Sequence, residues 1–200
     1  MKRVHLFMFL LWTAGCGVAA GPVAVVDLRC EHLVDPLGID TETPRLSWKL
    51  QDGRHTRGKR QTAYRILVAT APDKLTVGKA DVWDSGVVSS GQSHLVAVLP
   101  EMPLQSGGDY YWKVQVRDER GIPSGWSEAA RFSMGLLNRS DWKGEWIKHP
   151  SASPEKHIWF RKKHLVNDLP ATAFAYIASA GYHELYVNGQ KADSRVLAPA

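Results

Sequence analysis

The side chains able to do acid–base chemistry are twenty Asp and Glu and eight His. Two carboxylates facing each other across a sugar would be the equipment of glycosidic-bond hydrolysis. Here the acids fall in turn-rich stretches: Asp35, Asp40 and Glu42; Asp52; Asp81 and Asp84; Asp118 and Glu119. None marks a strand-end constellation, so they read as solvated turn carboxylates, and no catalytic residue is assigned. Cys30-Glu31-His32 and the pair His157/His164 lack metal-ligand spacing, and neither HExxH nor a cysteine cluster occurs. The histidines read as surface or interface groups, and neither a metal nor a cofactor is expected. No Ser stands in a GxSxG elbow, and no glycine loop is built to cradle phosphate. What remains is a cluster near the C-terminal end, Tyr182, His183, Glu184 and Tyr186. Tyr and His can stack on sugars or hydrogen-bond to them. The plainer account of the four is packing and a solvated strand face.

These residues need a scaffold, and the pattern supplies strands. DYYWKVQVRD (109–118) alternates Tyr110, Trp112, Val114 and Val116 with Tyr111, Lys113, Gln115 and Arg117, a half-buried strand of period two. VAVVDLR (23–29), RLSWKL (45–50), QTAYRILVA (61–69), HLVAVL (94–99) and EAARFSM (128–134) read the same way. In the second of these Leu46 and Trp48 share a face. In the third, Tyr64, Ile66 and Val68 make a better core face than Ala63, Arg65, Leu67 and Ala69. Leu104 lies six residues before Tyr110, a spacing that suits a tyrosine corner. Short strands with no amphipathic helix between them predict an all-β fold: a fibronectin type III or immunoglobulin-like sandwich over residues 21–135.

Residues 136–156, with Pro150 and Pro154, read as an ordered connector whose Trp142 and Trp146 are expected to be pinned against a neighbouring domain. HIWFRKKHLV (157–166), TAFAYIASA (172–180) and a hairpin then predict the first strands of a second, incomplete, jelly-roll-like β-sandwich over 157–200. The hairpin joins Tyr182–Val187 to Gln190–Val196 through Asn188-Gly189, the dipeptide best suited to a two-residue turn. The basic loop GRHTRGKR (53–60) carries no interleaved aromatics and reads as solvated, so no nucleic-acid partner is expected. Asn138-Arg139-Ser140 has the form of a glycosylation acceptor, which reads as accidental if the leader is bacterial.

The chain has 200 residues, 44% hydrophobic and 22% charged, enough to bury a core. Residues 1–20 join a basic Met1-Lys2-Arg3 to a short apolar run and the small residues Val18 to Ala20, the plan of a secretory signal. Removing them takes away Lys2 and Arg3 and no acids, lowering the formal charge from +5 to +3. Export to the periplasm or the outside is therefore expected. Thr13-Ala14-Gly15-Cys16 is similar to a bacterial lipoprotein box, with Thr13 where Leu is usual. Cys16 would then be lipidated, making an outer-membrane lipoprotein. No other stretch is apolar enough to form a transmembrane segment. Only Cys30 remains after cleavage, so the core must hold without an internal disulfide.

Several strings taken in order resemble the N-terminal, non-catalytic region of bacterial α-L-rhamnosidases, a glycoside hydrolase family. They are ETPRLSWKL (42–50), RQTAYRILVA (60–69), VWDSGVVSS (82–90), YYWKVQVRDERGIPSGWSEAARFSMGLL (110–137) and DWKGEWI (141–147). FRKKHLV (160–166), AYIASAGYHELYVNGQK (175–191) and LAP (197–199) continue the match. The resemblance implies a multi-domain exported enzyme that removes terminal α-L-rhamnose from glycosides and polysaccharides with inversion. It also implies catalytic glutamates on a downstream (α/α)₆ barrel absent from this sequence. The sequence thus reads as the front of a longer enzyme, inactive alone. The alternative is a stand-alone exported carbohydrate-binding or adhesion module. A different glycosidase family sharing the YVNG string is disfavoured by the strings upstream of it.

Overall fold

The computed structural model describes residues 23–53, 57–150, 158–168, 170 and 173–192. The expected leader with Cys16, His157 and the residues beyond Ala192 expected to return as a strand lie outside the described residues. The chain divides into two compact units, one running to Leu137 and the other starting at Asn138.

Among the described residues the first unit holds seven strands: β1 (Ala24–Cys30), β2 (Arg45–Gln51), β3 (Ala63–Ala69), β4 (Trp83–Asp84), β5 (Val96–Ala97), β6 (Asp109–Arg117) and β7 (Ala130–Ser133). They form two antiparallel sheets, ordered β1-β2-β5 and β4-β3-β6-β7. Alternation sends Leu46 and Trp48 from one sheet, and Tyr64, Ile66, Val68, Trp112, Val114 and Val116 from the other, into one buried cluster. The indole of Trp48 meets the Tyr64 ring edge-on at 5.4 Å, and its N–H donates to Gln61 Oε1 at 2.9 Å. This is the immunoglobulin-like sandwich that the strand pattern predicts, and the buried phenol of Tyr110 closes its corner on the backbone of Gln105.

The central strand β3 is buried on both faces. Leu67 and Ala69, on the face expected to be poorer, pack with Leu75, Tyr111 and Trp126 in a second cluster. The segment through the 3₁₀ turn Pro72–Lys74 brings Leu75 over that face, a long-range covering that alternation within one strand does not encode. The edge strand β7 is covered as well. Its outward N–H groups at Arg131 and Ser133 donate to Asp35 Oδ1 and Pro36 O, and Ser133 O accepts the Ile39 N–H. An exposed ladder edge is thereby removed.

The turn acids are mostly not free solvated groups. Asp118 is fully buried, and its Oδ1 accepts the N–H groups of Arg120 and Ile122, each at 2.9 Å, which fixes the turn after β6. Asp84 pairs with Arg65 through two bonds of 2.8 and 2.6 Å, and Asp81 accepts from Thr70 and Lys74. Cys30 is a buried core residue whose thiol is pushed up to about 12, chiefly by burial.

In the second unit, Asn138 and Asp141 form a reciprocal capping box around the 3₁₀ turn Arg139–Asp141. Trp142 and Trp146 are 39% and 77% exposed. The described parts of 157–166 and 172–180 form no ladder; the strands of this unit, among the described residues, are β8 (Tyr186–Val187) and β9 (Gln190–Lys191). A strand persists only where its backbone groups find partners. No described residues supply them here, and Trp159 and Leu165 stand 79% and 91% exposed. No helix among the described residues is long and apolar enough to cross a membrane.

Candidate functional site

The hairpin of the second unit carries the four sequence-predicted residues. Asn188 and Gly189 have φ of +51° and +82°, the pair of left-handed residues a type I′ turn requires. That turn sets Tyr186 opposite Lys191 and Val187 opposite Gln190, and the Ala192 N–H closes on Leu185 O at 2.9 Å. The Glu184 carboxylate accepts the Tyr186 hydroxyl at 2.9 Å and the Lys191 ammonium at 2.6 Å. The hydrogen bond to Glu184 is the main cause that holds the Tyr186 phenol above its ordinary value. His183, one residue out of phase, turns instead to Ser179 Oγ at 3.0 Å from its Nδ1. Tyr182 is 74% exposed. The structure therefore joins Glu184 and Tyr186 into one group and leaves His183 and Tyr182 outside it.

A residue absent from the sequence-based set completes the surface. The Trp159 ring lies 5.9 Å from the Tyr186 ring at an interplanar angle of 43°. In the run HIWFRKKHLV a Trp reads as core filling, and only its exposure gives it away. Two tilted rings beside a carboxylate and an ammonium can stack on a sugar and hydrogen-bond its hydroxyls.

They do not make a hydrolytic pair. A general acid needs a raised carboxyl pKa and a second carboxylate across the substrate. Glu184 is tied to two donors. In the first unit Asp27, Glu31, Asp84 and Glu119 are each held below the usual carboxylate range, with Lys49, Arg45, Arg65 and Lys59 respectively as the leading cause. For Asp81 and Asp118 burial pushes upward, but hydrogen bonds to the carboxylates outweigh it. No group of three or more His, Cys, Asp or Glu able to hold a metal occurs among the described residues.

The model of the family described as "Rha78A-like, N-terminal immunoglobulin domain" matches residues 25–138, which take in the seven strands of the first unit except Ala24. The chain belongs to this family. It is 35% identical over 189 residues to an α-L-rhamnosidase of Formosa agariphila, covering 83% of this chain and 20% of that protein. An α-L-rhamnosidase of Streptomyces avermitilis is 36% identical over 148 residues, covering 70% of this chain and 14% of the relative. The crystal structure of the Streptomyces avermitilis α-L-rhamnosidase complexed with L-rhamnose superposes with a TM-score of 0.59 at 37% identity. That match covers 64% of this chain and 12% of the solved one. The chain thus spans about a fifth or less of the length of these relatives. The Rha78A-like domain accounts for the first unit. The Formosa match is longer than that domain, so it also includes residues outside the family match.

Proposed function

We propose that this chain is the N-terminal accessory part of an exported α-L-rhamnosidase. In this reading the immunoglobulin-like unit is spacer and scaffold, and hydrolysis of terminal α-L-rhamnosides, with inversion, belongs to an (α/α)₆ barrel outside these residues. The observation that carries it is the 35% identity over 189 residues with a protein five times as long as the match. The pairing of the described carboxylates supports a chain with no hydrolytic activity of its own. The test is to incubate the 200-residue chain, and the full product of its locus, with an aryl α-L-rhamnoside. Rhamnose should be released by the second alone, with the α anomer of the substrate giving the β sugar first. Release by the short chain would overturn the reading.

Export follows from the leader, to the periplasm or the exterior, and to the outer membrane if Cys16 is lipidated. Growth with a labelled fatty acid should mark the wild-type chain and spare Cys16→Ser. A label in both, or in neither, removes the lipoprotein reading.

A second reading, a carbohydrate-binding module, is favoured by the exposed rings of Trp159, Tyr182 and Tyr186. Retention on a rhamnose-containing polysaccharide column, lost in the double variant Tyr182→Ala/Tyr186→Ala, would support it. Unretarded passage of the wild-type chain would reject it.

A further inference from the structure

The sandwich carries a groove of about 310 Å³ remote in sequence from the hairpin, whose lining includes Trp48 and the polar or charged residues Asp27, Arg29, His32, Ser47, Lys49 and His94. In β2, Ser47 and Lys49 alternate with the core residues Leu46 and Trp48, which puts the groove on the outer side of the three-stranded sheet. His32 and His94 were separate surface groups in sequence; here their rings lie 5.5 Å apart.

The groove has more donors than it uses. Asp27 is its one acid, set between Lys49 Nζ at 2.7 Å and Arg29 Nε at 2.9 Å. Two cations against one carboxylate leave a single positive charge even with both imidazoles neutral. Arg29 spends one further N–H on His32 O at 3.1 Å, so part of its five-donor fork stays uncommitted. The Lys49 ammonium has one partner, and its side chain is 73% exposed. Ser47 Oγ accepts the Leu95 N–H at 2.9 Å and lies 3.3 Å from His94 Nδ1. Its own proton can go to Nδ1, which leaves the imidazole proton on Nε2, free to donate elsewhere.

The backbone is shaped around this place. Asp27, Glu31, His32 and Leu95 all have φ between +47° and +69°, a conformation that costs a side-chain-bearing residue energy. At Asp27 the register of β1 against β2 shifts, a bulge that re-aims the carboxylate between its two cations. Strained segments from three parts of the chain converge on one groove, and what they present is surplus N–H and ammonium donors.

We propose that this groove binds an oxyanion, held by Arg29, Lys49 and the two imidazoles. The carboxylate of an acidic sugar residue in a polysaccharide is the source this protein would meet. That choice of source rests on the function proposed above; the anion site does not. A neutral sugar would leave the positive charge unanswered, whereas a carboxylate or sulfate satisfies it with charge-assisted bonds.

The test is a titration of the 200-residue chain, observed through the imidazole resonances of His32 and His94 by ¹H–¹⁵N NMR. Sodium D-glucuronate, sodium sulfate and L-rhamnose would be added separately at constant pH and ionic strength. Glucuronate should shift both imidazoles saturably, and Lys49→Ala or His94→Ala, both at exposed positions, should each weaken the effect by about tenfold, the usual weight of a hydrogen bond to a charged group. Tighter binding of glucuronate than of sulfate assigns the anion to a sugar; equal binding keeps the site and makes its ligand a free oxyanion. Shifts that do not saturate, that L-rhamnose reproduces, or that survive both substitutions in variants with native spectra would overturn the proposal. None of these outcomes depends on rhamnosidase activity, so failure here and failure of the enzyme reading are separable.

Discussion

The hydroxyl of Tyr110 accepts the backbone N–H of Gln105 at 2.8 Å, and a Cβ placed on Gly108 would stand 2.8 Å from that same oxygen. It would also lie 2.9 Å from Cε2 of the ring and 3.0 Å from Gln105 O, so the corner closes only over a residue without a side chain. Gly108→Ala should therefore destabilise the sandwich by about 1–3 kcal/mol through overpacking. Tyr110→Phe, which removes one part-buried hydrogen bond, should cost about 1 kcal/mol. The double variant should lose less than the two costs added, because removing the hydroxyl relieves part of the clash. Urea denaturation of the four proteins measures this, and strict additivity would mean that the phenol and Gly108 do not share the corner.

Two buried indoles offer a contrast of similar size and opposite sign in their polar parts. Trp48 donates to Gln61 Oε1, while Gln61 Nε2 donates to Ser90 O and Gln92 O. Trp112 Nε1 is buried with no hydrogen-bond partner. Each change to Phe leaves a cavity, but Trp48→Phe also strands a buried acceptor, and Trp112→Phe removes a stranded donor. Trp48→Phe should be the more destabilising by about 1–3 kcal/mol. Equal losses in denaturant would show that the Trp48–Gln61 bond contributes nothing net.

Much of this was legible in the sequence, because alternation states which side chains share a face. Tyr110, Trp112, Val114 and Val116 announce β6, and the Leu104 to Tyr110 spacing announces the corner. Asn188-Gly189 announces the hairpin, since few other pairs tolerate two left-handed residues. What alternation cannot state is what lies over a face. The burial of Leu67 depends on Leu75 and Trp126, far along the chain, and the burial of Asp118 depends on the N–H groups of the turn it organises. The same limit hid Trp159 beside Tyr186 and His32 beside His94. Those meetings depend on tertiary placement, and the residue types alone pointed to core filling and isolated surface groups.

Acid should act on the ion pairs in a definite direction. Arg65 is the leading cause that holds the Asp84 carboxyl below its usual value, and the Gly86 N–H adds to it. A depressed native value means that, as pH falls through the ordinary carboxylate range near ~4, the unfolded chain takes up the proton first. Stability is therefore full above that range and declines as pH drops toward the native value. Wild type should exceed Asp84→Asn in thermal midpoint at pH 7, and the gap should narrow as pH falls below about 4. A gap that stays constant over that range would mean the pair is not what separates the two proteins.

The Glu184–Tyr186 bond makes the candidate sugar surface a defined object, and it can be read directly. Accepting the phenolic proton, Glu184 holds the Tyr186 value above the ordinary tyrosine value of about 10, and its negative charge opposes phenolate formation as well. In the window above the unfolded value the folded hairpin keeps a proton that the unfolded chain has lost, so its stability declines as pH rises through that window. In Glu184→Ala both effects vanish and Lys191 remains, a cation that favours phenolate. Tyr186 followed by the ¹³Cζ resonance should then titrate at a clearly lower pH than in wild type. The Trp159 ring should lose its fixed tilt against Tyr186 in the same variant, seen as weakened contacts between the two rings in a nuclear Overhauser spectrum. If Tyr186 titrates alike in both proteins, the carboxylate does not hold the phenol in solution. Trp159 and Tyr186 would then be separate exposed rings, with no preformed platform for a sugar to meet.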